Sequence, residues 1–274
     1  MGRESQLIIV RGGGDIATGT IHRLHRCGYP VIVLETASPS AIRRRVAFCE
    51  AVYDGVSEIE GVRCRKASGY PEAQEILSQG EIPILVDEAC RILGEVRPWA
   101  LIDAILAKRN LGTTRAMADK TIGLGPGFTA GEDVDLVIET MRGHDLGRVI
   151  ESGSAQPNTG TPGIIAGYGK ERVIHSPAAG TFRRYAEIGD LVEKEQVIAV
   201  VETEQGSVEV RASLTGLLRG IIRDRYPVTK GFKIADIDPR ESEYKNCFTI
   251  SDKARCIGGS VLEALLYLEQ KQGY

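Results

Sequence analysis

An offset of 36 residues superposes one stretch of this chain on the next, and no other feature restricts the fold so tightly. It carries Gly180 onto Gly216, Val192 onto Val228 and Lys194 onto Lys230. It also carries Ile198-Ala199 onto Ile234-Ala235, and Val201 onto Ile237. A turn glycine, a strand valine and an Ile-Ala pair kept in one register predict two copies of a short β-unit. Neither copy can bury its apolar face alone, so the two pair into a small sandwich. Turn signals at Ala179-Gly180, Gly189-Asp190, Gln205-Gly206 and Tyr226-Pro227 agree with many short strands.

Upstream the pattern is different. Short apolar runs at Leu7–Val10, Val31–Leu34, Val62–Arg65, Ile82–Val86, Trp99–Asp103, Thr121–Leu124 and Leu136–Thr140 alternate with helix-like stretches. That alternation predicts an α/β fold: a Rossmann-like, mostly parallel sheet covered on both faces, with the β-unit inserted into it as an all-β barrel-sandwich. The Gly/Pro/Asn/Ser-rich stretch 153–169 ends the first unit near Gly160. After Asp238-Pro239, Ser251-Asp252 starts a helix on which Ala254, Ile257, Val261, Leu262, Leu265 and Leu266 recur at helical spacing. The expected organisation is a nucleotide-binding domain over 1–160, a β-domain over 170–240, and a helix over 250–274 that packs back on the first domain.

Composition narrows the function classes. The chain has 274 residues, 42% hydrophobic and 26% charged, with a net charge of −3, which argues against nucleic acid as a partner. No apolar run reaches the roughly 20 residues of a membrane span, and no apolar leader follows Met1. A cytoplasmic protein is expected. The six cysteines form no CxxC, so neither a disulfide framework nor a zinc site is expected. His22 and His25 share a helix face without a third ligand. A homodimer is the commonest assembly for such a chain.

Gly12-Gly13-Gly14-Asp15-Ile16-Ala17 fits G-x-G-x-x-A directly after a strand and at the start of a helix. In that context Gly12 allows the tight turn, Gly14 admits a pyrophosphate to the backbone, and Ala17 permits close helix packing. Glu35 closes the next strand, where a carboxylate accepts bonds from a ribose diol. Arg43, Arg44 and Arg45 either receive a ribose phosphate or sit on a helix surface paired with Glu50 or Asp54. A second cluster spans 103–147: Asp103, Lys108, Arg109 and Asn110, then Gly125-Pro126-Gly127 and Thr129, then Glu139, Arg142 and His144. Asp87 and Asp103 end strands, the edge at which open α/β sheets bind ligands. Lys108 and Arg109 supply charge there, and the glycine turn supplies amides. Glu139 and His144 are a candidate acid–base pair, with a Glu139–Arg142 salt bridge as the plain alternative. No Ser-His-Asp or Cys-His arrangement suggests nucleophilic catalysis.

Together, Gly12–Gly19, Asp103–Asn110, Gly125–Gly131, Val137–Gly147, Asn158-Thr-Gly, Asp236–Arg240 and Ser251–Ala254 resemble the YqeB-like accessory proteins of the selenium-dependent molybdenum hydroxylase system. The resemblance implies a role in hydroxylase maturation and a Rossmann-type domain shared with XdhC-like proteins. It also implies molybdenum cofactor or NAD(P) as the ligand, and a hydroxylase apoenzyme or another maturation protein as partner. The repeat region is similar to biotinyl/lipoyl domains in Gly189–Val192 and Val201–Gly206. Gln205 stands where a carrier has its acylated lysine, so no lipoyl or biotinyl arm is expected. Two further readings stay open: an NAD(P)-dependent oxidoreductase, and a docking scaffold with a vestigial nucleotide fold.

Overall fold

The computed structural model describes residues 5–157, 160 and 163–272. Asn158 and Thr159 of the Asn-Thr-Gly motif, and the first four residues, lie outside these. The chain divides into two compact units. One comprises Met1–Pro39, Ala47–Thr159 and Ile250–Tyr274; the other comprises Ser40–Val46 and Gly160–Thr249.

The first unit is built on β1 (Ile8–Arg11), β2 (Val31–Glu35), β3 (Val56–Ile59), β4 (Val62–Ala67), β5 (Ile82–Val86), β6 (Ala100–Asp103), β7 (Thr121–Leu124), β9 (Leu136–Ile138) and β10 (Val149–Ile150). Among the described residues these make one sheet in the order β10-β9-β7-β6-β1-β2-β5-β4-β3. A separate ribbon pairs β8 (Thr129–Ala130) with β11 (Gly153–Ser154). The helices are α1 (Asp15–Arg26), α2 (Ala51–Asp54), α3 (Tyr70–Ser78) and α4 (Asp252–Gln272).

Period-2 alternation sorts the strand side chains between two cores. Ile8, Val10, Val31, Val33, Ala100 and Ile102 bury against Ala17, Ile21 and Leu24 of α1 and Ala254, Ile257, Val261 and Leu265 of α4. Ile9, Ile32, Leu34 and Leu101 face the other way, against Ala73 and Ile76 of α3. α1 and α4 approach closely because Gly19 and Gly258 carry no side chain. A Cβ on Gly19 would strike the backbone of Ala254, and one on Gly258 would meet Gly19 O at 2.6 Å.

The expected Rossmann-like sheet is corrected here. The sheet is mixed: β3 pairs antiparallel with β4, and β10 antiparallel with β9. Between β6 and β7 the chain makes only a 3-10 turn at Arg115–Met117, and β7 reaches β9 through the short β8. Loops pack where crossover helices were expected, burying Phe128, Ala130, Val134, Val137 and Ala155 in a small cluster of their own. On the opposite face α4, arriving from the end of the chain, covers β9 and β10. The antiparallel β3 went unpredicted although Glu60-Gly61, with φ of 48° and 77°, marks its hairpin turn.

The second unit consists of β12 (Val173–His175), β13 (Gly180–Arg184), β14 (Leu191–Val192), β15 (Val197–Thr203), β16 (Gly206–Arg211), β17 (Gly216–Ile221), β18 (Pro227–Val228) and β19 (Lys233–Asp238). They form two antiparallel sheets, β12-β19-β17-β14 and β16-β15-β13-β18. The 36-residue offset maps one sheet onto the other, pair by pair. Gly180 opposite Val228 becomes Gly216 opposite Val192, and Phe182 opposite Val201 becomes Leu218 opposite Ile237. Each repeat therefore gives its short strand, β14 or β18, to the other's sheet. The repeated glycine has a steric cause. A Cβ on Gly180 would collide with Glu202 O, and one on Gly216 with the equivalent Asp238 O. Phe182, Ile198, Val201, Leu218, Ile234 and Ile237 are fully buried between the sheets.

Residues 40–46 belong to this second unit, and Arg44 and Arg45 lie in a 3-10 turn instead of on the expected helix surface. Arg43 is buried and donates to Asn246 O and Thr249 O at 2.8 and 3.2 Å. Arg44 donates to Ile221 O at 2.8 Å and pairs with Glu187. Arg45 is exposed, in a 3-10 turn rather than a helix.

Candidate functional site

The carboxyl ends of β1, β2, β6, β7 and β9 bring most of the sequence-predicted residues to one rim of the first unit. Gly12 turns with φ +93° because its α-carbon lies against the backbone after β6; a Cβ there would stand 3.0 Å from Ala104 O. Gly13 has no room either, since Cys49 closes over it and donates its amide to Gly13 O at 2.8 Å. Gly14 differs: nothing lies within 4 Å of the position its Cβ would take. Gly14 is also the N-cap of α1, and no side chain caps that helix. Gly14, Asp15 and Ile16 are partly exposed, whereas Ala17 is buried against the core. The first-turn amides of α1 lack intrahelical acceptors and carry the positive end of its dipole.

Glu35 lies beside this turn. Its Oε2 accepts the Gly13 amide at 2.7 Å and its Oε1 accepts the Thr36 amide at 2.8 Å. Burial pushes its carboxyl above the ordinary glutamate range despite both bonds, with Glu88 adding to the rise. Glu35 thus anchors the glycine turn itself. Each carboxylate oxygen retains a further lone pair for a hydroxyl.

Asp103 is buried and bonded within the fold. The β1/β6 register sets Arg11 opposite Asp103. In the interior, Arg11 Nη1 lies 3.3 Å from Asp103 Oδ2, which also accepts the Thr113 hydroxyl at 2.6 Å. Asp103 Oδ1 accepts the Ile105 amide. Asn110 serves the same loop: its Oδ1 accepts the amides of Gly112 and Thr113, and its Nδ2 donates to Thr113 O. Arg11 and Thr113 had no motif to announce them. Opposite charges at the ends of two adjacent parallel strands were the available signal. Asp87 Oδ2 accepts the Ile92 amide at 2.9 Å, and its Oδ1 lies 3.5 Å from Arg91 Nε.

The loops after β6 and β7 pack together. A Cβ on Gly127 would lie 2.6 Å from the Arg109 backbone, and one on Gly125 would lie 2.6 Å from Thr140 Oγ1. Lys108 and Arg109 are exposed, and both Leu106 and Lys108 adopt left-handed φ of 60° and 64°. Thr129 stands apart on the small ribbon, bonded to Asp133 and Ser154.

Glu139 and His144 are not gathered as an acid–base pair. Glu139 is buried, with Oε1 on the Met141 amide at 2.7 Å and Oε2 on the Gln156 amide at 2.8 Å. Its expected partner Arg142 makes a two-pronged pair with Asp252 of α4, at 2.9 and 3.0 Å. His144 is exposed and lines a groove of about 520 Å³ with Leu146, Arg148, Glu151, Glu263 and Tyr267, along the β10–α4 edge. α4 brings a residue that sequence reasoning did not single out. Lys253, half-buried on its first turn, feels the charges of Arg142, Asp15, Glu139 and Asp252. Among the described residues no group of three or more His, Cys, Asp or Glu side chains is gathered as for a metal ion. No helix among them is long and apolar enough to cross a membrane.

The chain has a close relative. It is 52% identical over 263 residues to the uncharacterized protein YqeB of Escherichia coli (strain K12), covering 96% of this chain and 48% of that protein. The chain spans about half the length of the curated relative it matches. Residues 172–237 match the biotin/lipoyl family described as "Biotin-requiring enzyme". The second unit therefore holds a biotin/lipoyl-like domain. Among solved structures, an aspartoacylase family protein from Mesorhizobium loti is similar at 14% identity over 86% of each chain, with a TM-score of 0.31. A succinylglutamate desuccinylase/aspartoacylase from Rhodobacter sphaeroides is similar at 15% identity over 86% of each chain, with a TM-score of 0.29. Superpositions this loose transfer no activity to the present chain.

Proposed function

We propose that this chain is an accessory protein for molybdenum hydroxylase maturation that holds a nucleotide-bearing ligand at the turn between β1 and α1. Molybdenum cofactor and NAD(P) are the two candidate ligands. The observation that carries this reading is Gly14, an open, partly exposed N-cap of a helix that no side chain caps. Such an end favours phosphate oxygens through backbone amides and the helix dipole. Glu35, fixed beside it, would accept hydroxyls of the attached sugar. The left-handed Leu106 and Lys108 support the reading, since strained backbone collects at binding loops. The resemblance of the 103–147 block to YqeB-like accessory proteins supports the maturation role and the hydroxylase apoenzyme as partner.

In the second unit, β15 and β16 meet at a two-residue tip, Glu204-Gln205, both exposed. Gln205 offers an amide where a carrier offers an amine, so this unit acts as a docking surface without a lipoyl or biotinyl arm.

One observation favours the scaffold alternative: Glu35 already accepts the Gly13 amide, so the turn is partly self-satisfied. Calorimetry with molybdenum cofactor, NAD⁺ and NADP⁺ separates the two. Binding by the native chain that falls on the order of a hundredfold in Gly14→Val, through steric exclusion worth about 3 kcal/mol, supports the ligand site. Failure of all three to bind, with Gly14→Val fully functional in cells, leaves only the scaffold.

A further inference from the structure

Lys253 occupies a position that its own fold does little to justify. It lies on the first turn of α4, where the helix dipole disfavours a cation. The contact of Gly19 with Ala254 sets that turn against the first half of α1. Among the described residues its ammonium has no hydrogen bond or ion pair. Two of the three carboxylates nearby, Glu139 and Asp252, are engaged elsewhere. Both oxygens of Glu139 accept backbone amides, and both oxygens of Asp252 accept from Arg142. Burial lowers the Lys253 pKa, the like charge of Arg142 lowers it further, and Asp15, Glu139 and Asp252 act in the opposite sense. A solvated surface lysine would extend into water instead.

We propose that Lys253, with Arg142 beside it, contacts the anionic phosphate of the ligand held at the β1–α1 turn. This rests on the reading of that turn as a ligand site and adds a specificity-determining cation from the far end of the chain. Arg142 is held rigid by Asp252, while Lys253 brings a compact point charge with three rotatable donors, suited to a phosphate oxygen.

The test uses inorganic pyrophosphate and the full chain. Limited acetylation followed by peptide mass spectrometry should show Lys253 modified and then protected by saturating pyrophosphate. In calorimetry Lys253→Met should weaken pyrophosphate on the order of tenfold, as expected for one charge-assisted hydrogen bond. Lys253→Arg should retain most of the affinity, and neither variant should move the unfolding midpoint appreciably. Should pyrophosphate bind native chain and Lys253→Met alike and leave Lys253 acetylation unchanged, the role of Lys253 falls while the ligand site stands. Should pyrophosphate bind neither protein, the ligand reading of the turn falls and takes the role of Lys253 with it.

Discussion

The two units treat conspicuous residues in opposite ways. In the second, the glycines and valines the 36-residue offset singles out do the same job twice. Gly180 and Gly216 clear equivalent carbonyls, and Val192 and Val228 complete each other's sheets. In the first, residues that look like ligand-binding groups are largely consumed by the fold. Asp103 holds Arg11 and Thr113, Asn110 closes its own turn, and Glu139 binds two amides. A repeated pattern reports packing, because the same contact must be solved twice. A run of polar residues reports only that polar groups are needed, and buried backbone needs them as much as a ligand does.

The largest effect that would test this contrast lies at Arg11–Asp103. Asp103→Ala strands a buried guanidinium and should cost about 3–5 kcal/mol in chemical denaturation. A double change, Arg11→Met with Asp103→Leu, should recover much of that loss. A cost below about 1 kcal/mol for Asp103→Ala would return Asp103 to the candidate ligand residues.

Next come the repeated glycines. Gly180→Ala and Gly216→Ala each force a Cβ onto a carbonyl and should each cost about 1–3 kcal/mol. The two losses should be similar; a large inequality would break the equivalence of the repeats.

Smaller effects appear as pH dependence, with opposite signs in the two units. Glu35 has a raised carboxyl pKa in the folded state, so its contribution is full at low pH. It is lost as pH rises from the ordinary glutamate value, about 4.3, through the folded value. Glu35→Gln should flatten that decline. For Asp238, burial alone would raise the pKa, but hydrogen bonds and charge from Arg240 hold it below the ordinary aspartate range. Its stabilisation is present above about pH 3.9 and disappears on further acidification, so Asp238→Asn should remove that acid sensitivity. Unfolding midpoints measured across pH decide both; slopes of the same sign would refute the contrast.

The smallest effect is expected at Gln205. Gln205→Lys, on an exposed hairpin tip, should alter stability by no more than about 0.5 kcal/mol. The intact mass of the native chain should equal that of the bare polypeptide, and a prosthetic group on this hairpin would overturn the armless reading.

Much of the architecture could be read directly. The runs Val31–Leu34, Ile82–Val86 and Thr121–Leu124 lie on strands because a continuous apolar run matches burial on both faces. Whether the sheet is Rossmann-like could not be, since strand-like runs do not reveal whether a helix or a loop crosses between them. Within the candidate site, Gly12–Gly14 and Glu35 could be recognised from local spacing and do meet. Lys253 could not, because nothing near Ser251 shows that α4 ends its journey beside Asp15.

What the amino-acid order determined alone was therefore whatever repeats or alternates over short distances: the strands, the glycine turn and the paired β-units. Tertiary structure decided that residues 40–46 join the second unit, that Asp103 meets Arg11, and that α4 brings Lys253 to the rim. Those outcomes depend on strand register and close backbone approach between distant segments, and neither leaves a periodic trace in the chain.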